Sequence, residues 1–359
     1  MSLARITAAE VAADAGRFDA VIDARSPAEF AEDRLPGAIN LPVLDDDERR
    51  LVGTLYTQES ALRARQVGAV LAARRIAAHL EGPLADRPRH WRPLVYCWRG
   101  GQRSGSLAWF LSQIGYRTLQ LDGGYKAFRA VVRSELDALP ARHRFIVLAG
   151  RTGSGKTRLL QRLAARGAQV LDLEGIAQHR GSVLGALPGR PQPSQKAFDT
   201  GVWQALHGFD PSRPVFVESE SARIGRLRVP IALLHALRTQ GEIRRVEMAL
   251  PARVALLLED YAHFIDDAEN LCHQLATLVE LQGRERVQGW QALARAGAWP
   301  TLYQRLMVEH YDPLYERSMG RHYADLAAAP EIPLADGDPI TLDAAAAALV
   351  AAVEEGSPP

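Results

Sequence analysis

The chain has 359 residues, 47% of them hydrophobic, and a formal net charge of +1. That length supports two domains with cores of their own, and the composition is that of a globular chain rather than a disordered one. No apolar run approaches the ~20 residues of a membrane span, and the opening MSLARITAAEVAADAG lacks the apolar segment of a secretory signal, so a cytoplasmic protein with no membrane partner is expected.

Short apolar strands alternate with helices from the start. Ala20-Val21-Ile22-Asp23 reads as a strand. Ser26-Pro27-Ala28-Glu29 reads as a helix start, with Ser26 as N-cap, Pro27 at the first helical position and Glu29 closing a capping box. After the Pro36-Gly37 turn, Ala38 to Leu41 is a second strand, and Gln58 to Leu80 is expected to be one helix with exposed arginines. Leu94-Val95-Tyr96 is a buried strand, and Leu107, Phe110, Leu111 and Ile114 mark one apolar face of a helix that Gly115 stops. Thr118 to Leu121 is a strand, and Asp122-Gly123-Gly124 turns into a helix running to Leu139. Such alternation implies a parallel α/β sheet.

A Pro-containing stretch at residues 138–143 separates this part from a second, so the expected domains are residues 1–138 and 139–359. The second part opens with a strand from Phe145, a glycine-rich loop and a helix. Val170-Leu171 and Val215-Phe216-Val217 are further buried strands, each ending in acids. From about Pro251 to Ala329 the pattern is long and helical. Ala344 to Val353 reads as a terminal helix capped by Asp343, followed by a disordered tail from Glu354.

Two segments carry chemistry. The first is Tyr96-Cys97-Trp98-Arg99-Gly100-Gly101-Gln102-Arg103-Ser104-Gly105-Ser106. A lone strand-end cysteine is more often inert. Here three glycines, two arginines and two serines follow Cys97 within nine residues. A turn of this kind at a helix N-terminus can gather backbone N–H groups into an anion cradle. The helix dipole with Arg99 and Arg103 then favours a thiolate, a strong nucleophile. The other cysteine, Cys272, lies with His273 in a helical stretch. It reads as packing, and no ligand spacing supports a metal site.

The second segment, Gly150-Arg151-Thr152-Gly153-Ser154-Gly155-Lys156-Thr157, matches G-x-x-x-x-G-K-[ST] between a strand and a helix. Gly150, Gly153 and Gly155 permit tight turns and, with Ser154, bring N–H groups against phosphate oxygens. Lys156 supplies a point charge, and Thr157 can hold Mg²⁺. Only three lysines occur among 43 basic residues, and one stands where a compact cation is needed. The partner acids are less clear. Glu218 sits where a Walker-B acid is expected but is Glu rather than Asp, and Asp172 and Glu174 end the other strand. Helix capping or plain solvation is an equally good account of these acids.

The first part resembles the rhodanese family of sulfur carriers through Val21 to Phe30, Leu35 to Pro42, the Cys97 loop and Leu121 to Tyr125. In that family the loop cysteine carries a persulfide. Rhodanese loops typically place the arginine five residues after the cysteine, whereas Arg103 is six after it. That spacing is similar to the related phosphatases and implies room for a tetrahedral phosphorus species.

The whole chain resembles the tRNA 2-selenouridine synthase family. The further stretches that carry this are Asp172 to Gly175, His179 to Ser182, Pro191 to Lys196, and Glu218 to Ser221 with Arg223-Ile224-Gly225. The resemblance implies a rhodanese-like α/β domain followed by a P-loop NTPase-like α/β domain with a helical C-terminal part. It implies exchange of sulfur for selenium on the wobble 2-thiouridine of tRNA. Geranyl diphosphate and selenophosphate would be substrates, with an S-geranyl intermediate, no tightly bound cofactor, and an enzyme elsewhere that makes selenophosphate. Cys97 would either carry selenium as a selenosulfide or assist its transfer. His179, Arg180 and Lys196 would orient substrate or phosphate, or simply hold a loop. Three arginine groups could track a tRNA backbone: Arg223, Arg226 and Arg228; Arg244 and Arg245; and Arg284 with Arg286. An alternative is a rhodanese-type sulfurtransferase fused to an ATP-dependent kinase-like domain.

Overall fold

The computed structural model describes residues 3–323 and 326–354. The expected disordered tail lies, beyond Glu354, outside them. The chain divides into two compact units, residues 1–135 with 194–204, and residues 136–193 with 205–359. Each is built on a five-stranded, wholly parallel sheet.

In the first unit the elements are β1 (Arg5–Ile6), α1 (Ala8–Ala13), β2 (Ala20–Asp23), α2 (Pro27–Glu32), β3 (Ala38–Asn40), α3 (Asp46–Gln58), α4 (Ala61–Glu81), β4 (Pro93–Tyr96), α5 (Gln102–Ile114), β5 (Leu119–Leu121) and α6 (Gly124–Ala138). The strand order is β1-β5-β4-β2-β3. Ile22, Leu94 and Val95 are fully buried, as strands covered on both faces require. Connections leave β2 and β4 in opposite directions across the sheet. The carboxyl ends of these two strands are therefore the switch point where parallel sheets bind ligands. Cys97 follows β4 there.

The helix expected from Gln58 to Leu80 is α4, which begins at Ala61, and a further helix that was not expected, α3, ends at Gln58 just before it. Asp45 accepts from the Glu48 amide at 2.8 Å while Glu48 accepts from the Asp45 amide at 2.8 Å. That reciprocal cap starts α3 at Asp46, and Ser60 caps α4 through the Arg63 amide.

The second unit continues with β6 (Phe145–Ala149), α7 (Lys156–Ala165), β7 (Gln169–Leu171), α8 (Leu173–Ala177), α9 (Gln195–Gly208), β8 (Val215–Glu218), β9 (Arg223–Ile224), β10 (Leu227–Arg228), α10 (Ile231–Thr239) and β11 (Glu242–Met248). Of α9, residues 195–204 belong to the first unit. There follow α11 (Leu250–Asp260), α12 (Ala268–Ala276), α13 (Val279–Gln282), α14 (Arg284–Arg295), α15 (Trp299–Leu306), a π-helical turn (Met307–Tyr311), α16 (Asp312–His322), β12 (Glu331–Leu334) and α17 (Pro339–Glu354). The sheet order is β12-β11-β6-β8-β7, with β6 central and completely buried. The helices from α11 to α15 close a separate core around Phe264, Leu271, Trp290 and Leu302, and Cys272 is part of it. No helix among the described residues is long and apolar enough to cross a membrane.

β11 carries alternating charges, Glu-Ile-Arg-Arg-Val-Glu-Met, and was not foreseen as a strand. Its inward positions are Arg244, Val246 and Met248. Arg244 is 5% exposed, donates to the Ile243 carbonyl at 3.0 Å and meets Glu242 at 3.4 Å. Arg245 pairs with Glu331 at 2.7 Å. The reading of Arg244 as part of a phosphate-tracking cluster is therefore corrected: its buried guanidinium spends its charge inside the sheet. Asp343 also has another role. It lies inside α17, which starts at Pro339, and pairs with Arg166 rather than capping the helix.

Candidate active sites

The Cys97 loop is held by its own carbonyls. Cys97 O accepts from the Tyr125 amide at 2.8 Å and Trp98 O from the Lys126 amide at 3.0 Å. Gln120 Nε2 donates to Gly100 O at 2.8 Å and Gly101 O at 3.1 Å. This seats the loop on the first turn of α6 and on the end of β5. The approach is so close that a Cβ on Gly124 would come within 2.2 Å of Cys97 O and 2.4 Å of Gly100 N. Gly124 also has φ +57°, so only glycine fits there without strain.

Cys97 itself is 3% exposed. Ser104 Oγ donates to its Sγ at 3.1 Å, and Gln120 Nε2 donates to Ser104 Oγ at 2.8 Å. Gln120 was not foreseen as part of the site. A polar residue at an inward position of a buried strand was the available signal. Arg103, half-buried in the first turn of α5, is gripped by Glu29 at 2.6 and 3.3 Å. Burial pushes the Glu29 carboxyl up, but Arg103, together with the Ser26 amide and Arg49, brings it below its ordinary value. Glu29 thus does more than the capping expected of it. Arg99 is exposed. Beneath the loop, buried Arg25 pairs with Asp23 at 2.6 Å and lies 4.0 Å from the Tyr125 ring centre.

Lys196 belongs to this first unit. Its Nζ pairs with Glu32 at 2.7 Å and lies 5.9 Å from the Trp98 ring centre. The start of α9 docks here because Arg129 donates to Asp199 and Thr200 at 3.0 Å, and Thr200 donates to Asp33 at 3.0 Å.

The second site lies in the second unit, at the end of β6. Gly150 packs so tightly that a Cβ would meet Ser154 Oγ and Val246 O at 2.6 Å. Gly153 and Gly155 have φ +76° and +86°. Ser154 Oγ is buried and has no hydrogen-bond partner among the described residues. Lys156 Nζ donates to Gly150 O at 2.6 Å and Arg151 O at 3.2 Å, folding over its own loop. Thr157 donates to Glu174 at 3.3 Å.

Glu174, Glu218 and Glu220 each bring a carboxylate oxygen within 4.8 Å of the others. Glu218 Oε1 is buried and has no partner among the described residues. Burial and the neighbouring charges of Glu218 and Glu220 push Glu174 up to about 10. Burial, then Glu218, pushes Glu220 up to about 8. Burial also raises Glu218, against the pull of Lys156. Like charges this close cannot all ionise cheaply. Glu220 escaped the sequence reading because it lies past the strand end, where only the turn after β8 brings it back. Asp172 instead caps α8, accepting from the Gly175 amide at 2.7 Å. Arg180 donates to the Asp260 carbonyl and lies 5.0 Å from the Tyr261 ring centre. His179 is buried, and desolvation lowers its pKa. A cavity of about 540 Å³ joins the loop, the carboxylates and Arg180 to α11 and α16.

Residues 7–131 match the family described as rhodanese-like domain, and residues 143–295 match the tRNA 2-selenouridine synthase AAA domain. The chain is 38% identical to a tRNA 2-selenouridine synthase of Nitrosomonas europaea, over 82% of this chain and 79% of that one. It is 36% identical to the protein of that name in Chromohalobacter salexigens, covering 82% and 86% of the two chains. With the namesake in Hahella chejuensis it shares 33% identity over 82% and 84%. A cysteine loop on one parallel sheet, a glycine-rich loop on another, and relatives matching across both units lead to one conclusion: the chain belongs to the tRNA 2-selenouridine synthase family.

Proposed function

We propose that this protein replaces sulfur by selenium in the 2-thiouridine at the wobble position of tRNA, in two stages. The observation that carries this reading is the pairing, in one chain of this family, of the buried Cys97 loop with the Gly150–Thr157 loop. In the first stage the thiocarbonyl sulfur attacks C1 of geranyl diphosphate. The S–C1 bond forms, the C1–O bond breaks with its electron pair going to diphosphate, and the uridine N3 proton is lost to water. A thiocarbonyl sulfur is a poor leaving group, and alkylation makes it a good one. Lys156 exchanges its loop carbonyls for diphosphate oxygens. The loop amides stabilise the charge that develops as the C–O bond opens.

In the second stage selenium of selenophosphate attacks C2 and geranylthiol departs. Water then cleaves the P–Se bond, giving phosphate and the selenocarbonyl. The Cys97 loop, with Arg103 and Arg99 beside it, is the anion-binding cradle for selenophosphate. Cys97, oriented by Ser104, assists the transfer. A divalent cation fits the second site, where three carboxylates and a threonine hydroxyl supply hard oxygen ligands. Thr157, Glu174, Glu218 and Glu220 would hold it, and its chemistry there is neutralisation of diphosphate charge.

The test of the first stage is mass analysis of thiolated tRNA incubated with the enzyme and geranyl diphosphate. Wild type adds one geranyl mass, and Lys156→Ala does not. Geranylation by Lys156→Ala at the wild-type rate would refute the assignment of the loop.

A further inference from the structure

The cavity beside the phosphate-binding loop has two chemically distinct ends. One end is polar, made by Gly150 to Thr157 and the carboxylates. The other is walled by Leu257 of α11, by Tyr261 just after it, and by Tyr311, Leu314, Tyr315 and Met319. The last four fall at i, i+3, i+4 and i+8, so they form one stripe along the π-helical turn and α16. An apolar stripe on a helix is normally spent in a core. Leu314, Tyr315 and Met319 line the cavity, with Met319 buried in its wall.

This wall is tied rigidly to the loop. Arg253 is 3% exposed. Its Nε donates to the Thr152 carbonyl at 2.9 Å and its other nitrogens to Asp312 at 2.9 and 2.6 Å. Arg151 reaches Glu316 at 2.8 Å. One buried guanidinium therefore sets the distance from the phosphate end to the first turn of α16. The π-helical turn just before it rotates the stripe out of the register of α15, a common use of such turns near binding sites.

We propose that the α16 end of this cavity holds the hydrocarbon tail of a prenyl diphosphate, and that Leu314 and Met319 set the chain length accepted. The proposal rests on the geranyl diphosphate reading above and adds the residues that recognise the tail. From Tyr311 to Met319 the helix rises about 12 Å. The eight-carbon main chain of a geranyl group extends roughly 9 Å at ordinary bond lengths, whereas that of farnesyl extends roughly 14 Å. A geranyl chain therefore lies within the length of the wall, and a farnesyl chain overruns it. The wall's aromatic faces also suit the allylic cation character that develops at C1 as diphosphate leaves.

The experiment is prenyl transfer to thiolated tRNA with dimethylallyl, geranyl and farnesyl diphosphates, measured as kcat/KM for wild type, Met319→Ala and Leu314→Trp. Inorganic diphosphate binding is measured in parallel. Met319→Ala should raise the farnesyl-to-geranyl ratio about tenfold or more, and Leu314→Trp should lower the geranyl-to-dimethylallyl ratio by a similar factor, the scale on which apolar pockets discriminate. Unchanged ratios in both variants, with wild type active on geranyl diphosphate, would overturn the tail pocket and leave the diphosphate reading standing. Wild type inactive on all three would overturn both. ATP binding that Leu314→Trp weakens, with prenyl ratios unmoved, would assign the wall to a nucleoside and overturn the proposal.

Discussion

Gly124 decides whether the Cys97 loop can form at all. Its missing side chain lets α6 begin directly against Cys97 O. Gly124→Ala is expected to cost about 1–3 kcal/mol from the left-handed backbone alone, and more from the clash. Denaturant unfolding should show the loss, and the variant should be defective in selenium transfer yet still geranylate tRNA. At the second site Glu220 sets a pH dependence. Its folded pKa, near 8, lies above its ordinary 4.5. The folded state therefore binds the proton more tightly, and the stabilisation is complete below about 4.5 and is lost as pH rises through about 8. Glu220→Gln should flatten the fall in stability between those limits, measured by denaturation across pH. A slope identical to wild type would contradict the raised pKa.

Among the elements, α16 depends on one buried ion pair. Arg253→Ala would leave Asp312, 16% exposed, without its partner. Breaking such a pair costs about 3–5 kcal/mol, and the loss should appear both as a lower Tm and as weaker diphosphate binding, because the Thr152 carbonyl loses its donor too. β11 makes a contrasting prediction about tRNA. Arg223 is exposed beside the β9–β10 turn, whereas Arg244 is buried. If Arg223 meets a phosphate, Arg223→Ala should reduce the salt slope of tRNA binding by about one. Arg244→Ala should leave that slope alone and lower stability instead.

Across the whole molecule, the legible features were those with local causes. The two loops, their flanking strands and the Ser26-Pro27 helix start each follow from a few adjacent residues. The apolar helix face ended by Gly115 does as well. What escaped was set by distant contacts. β11 reads as a charged, exposed segment until four neighbours in β6 pair with it. Glu220 joins the carboxylates only through the turn after β8. The stripe on α16 has a visible period, but nothing in its spacing says that it faces a cavity rather than a core. Lys196 lies far along the chain from the loop it accompanies, and the helix that carries it docks through Arg129. The alternation of strands and helices nonetheless gave two parallel sheets correctly, because buried parallel strands and phosphate-binding turns have signatures of a few residues each. The account stands on the division of labour between Cys97 and Lys156. Its most direct test is mass analysis of tRNA after incubation of Cys97→Ser with geranyl diphosphate and selenophosphate together. The account predicts that geranylated 2-thiouridine accumulates and no selenouridine forms, whereas selenouridine produced at the wild-type rate would contradict it.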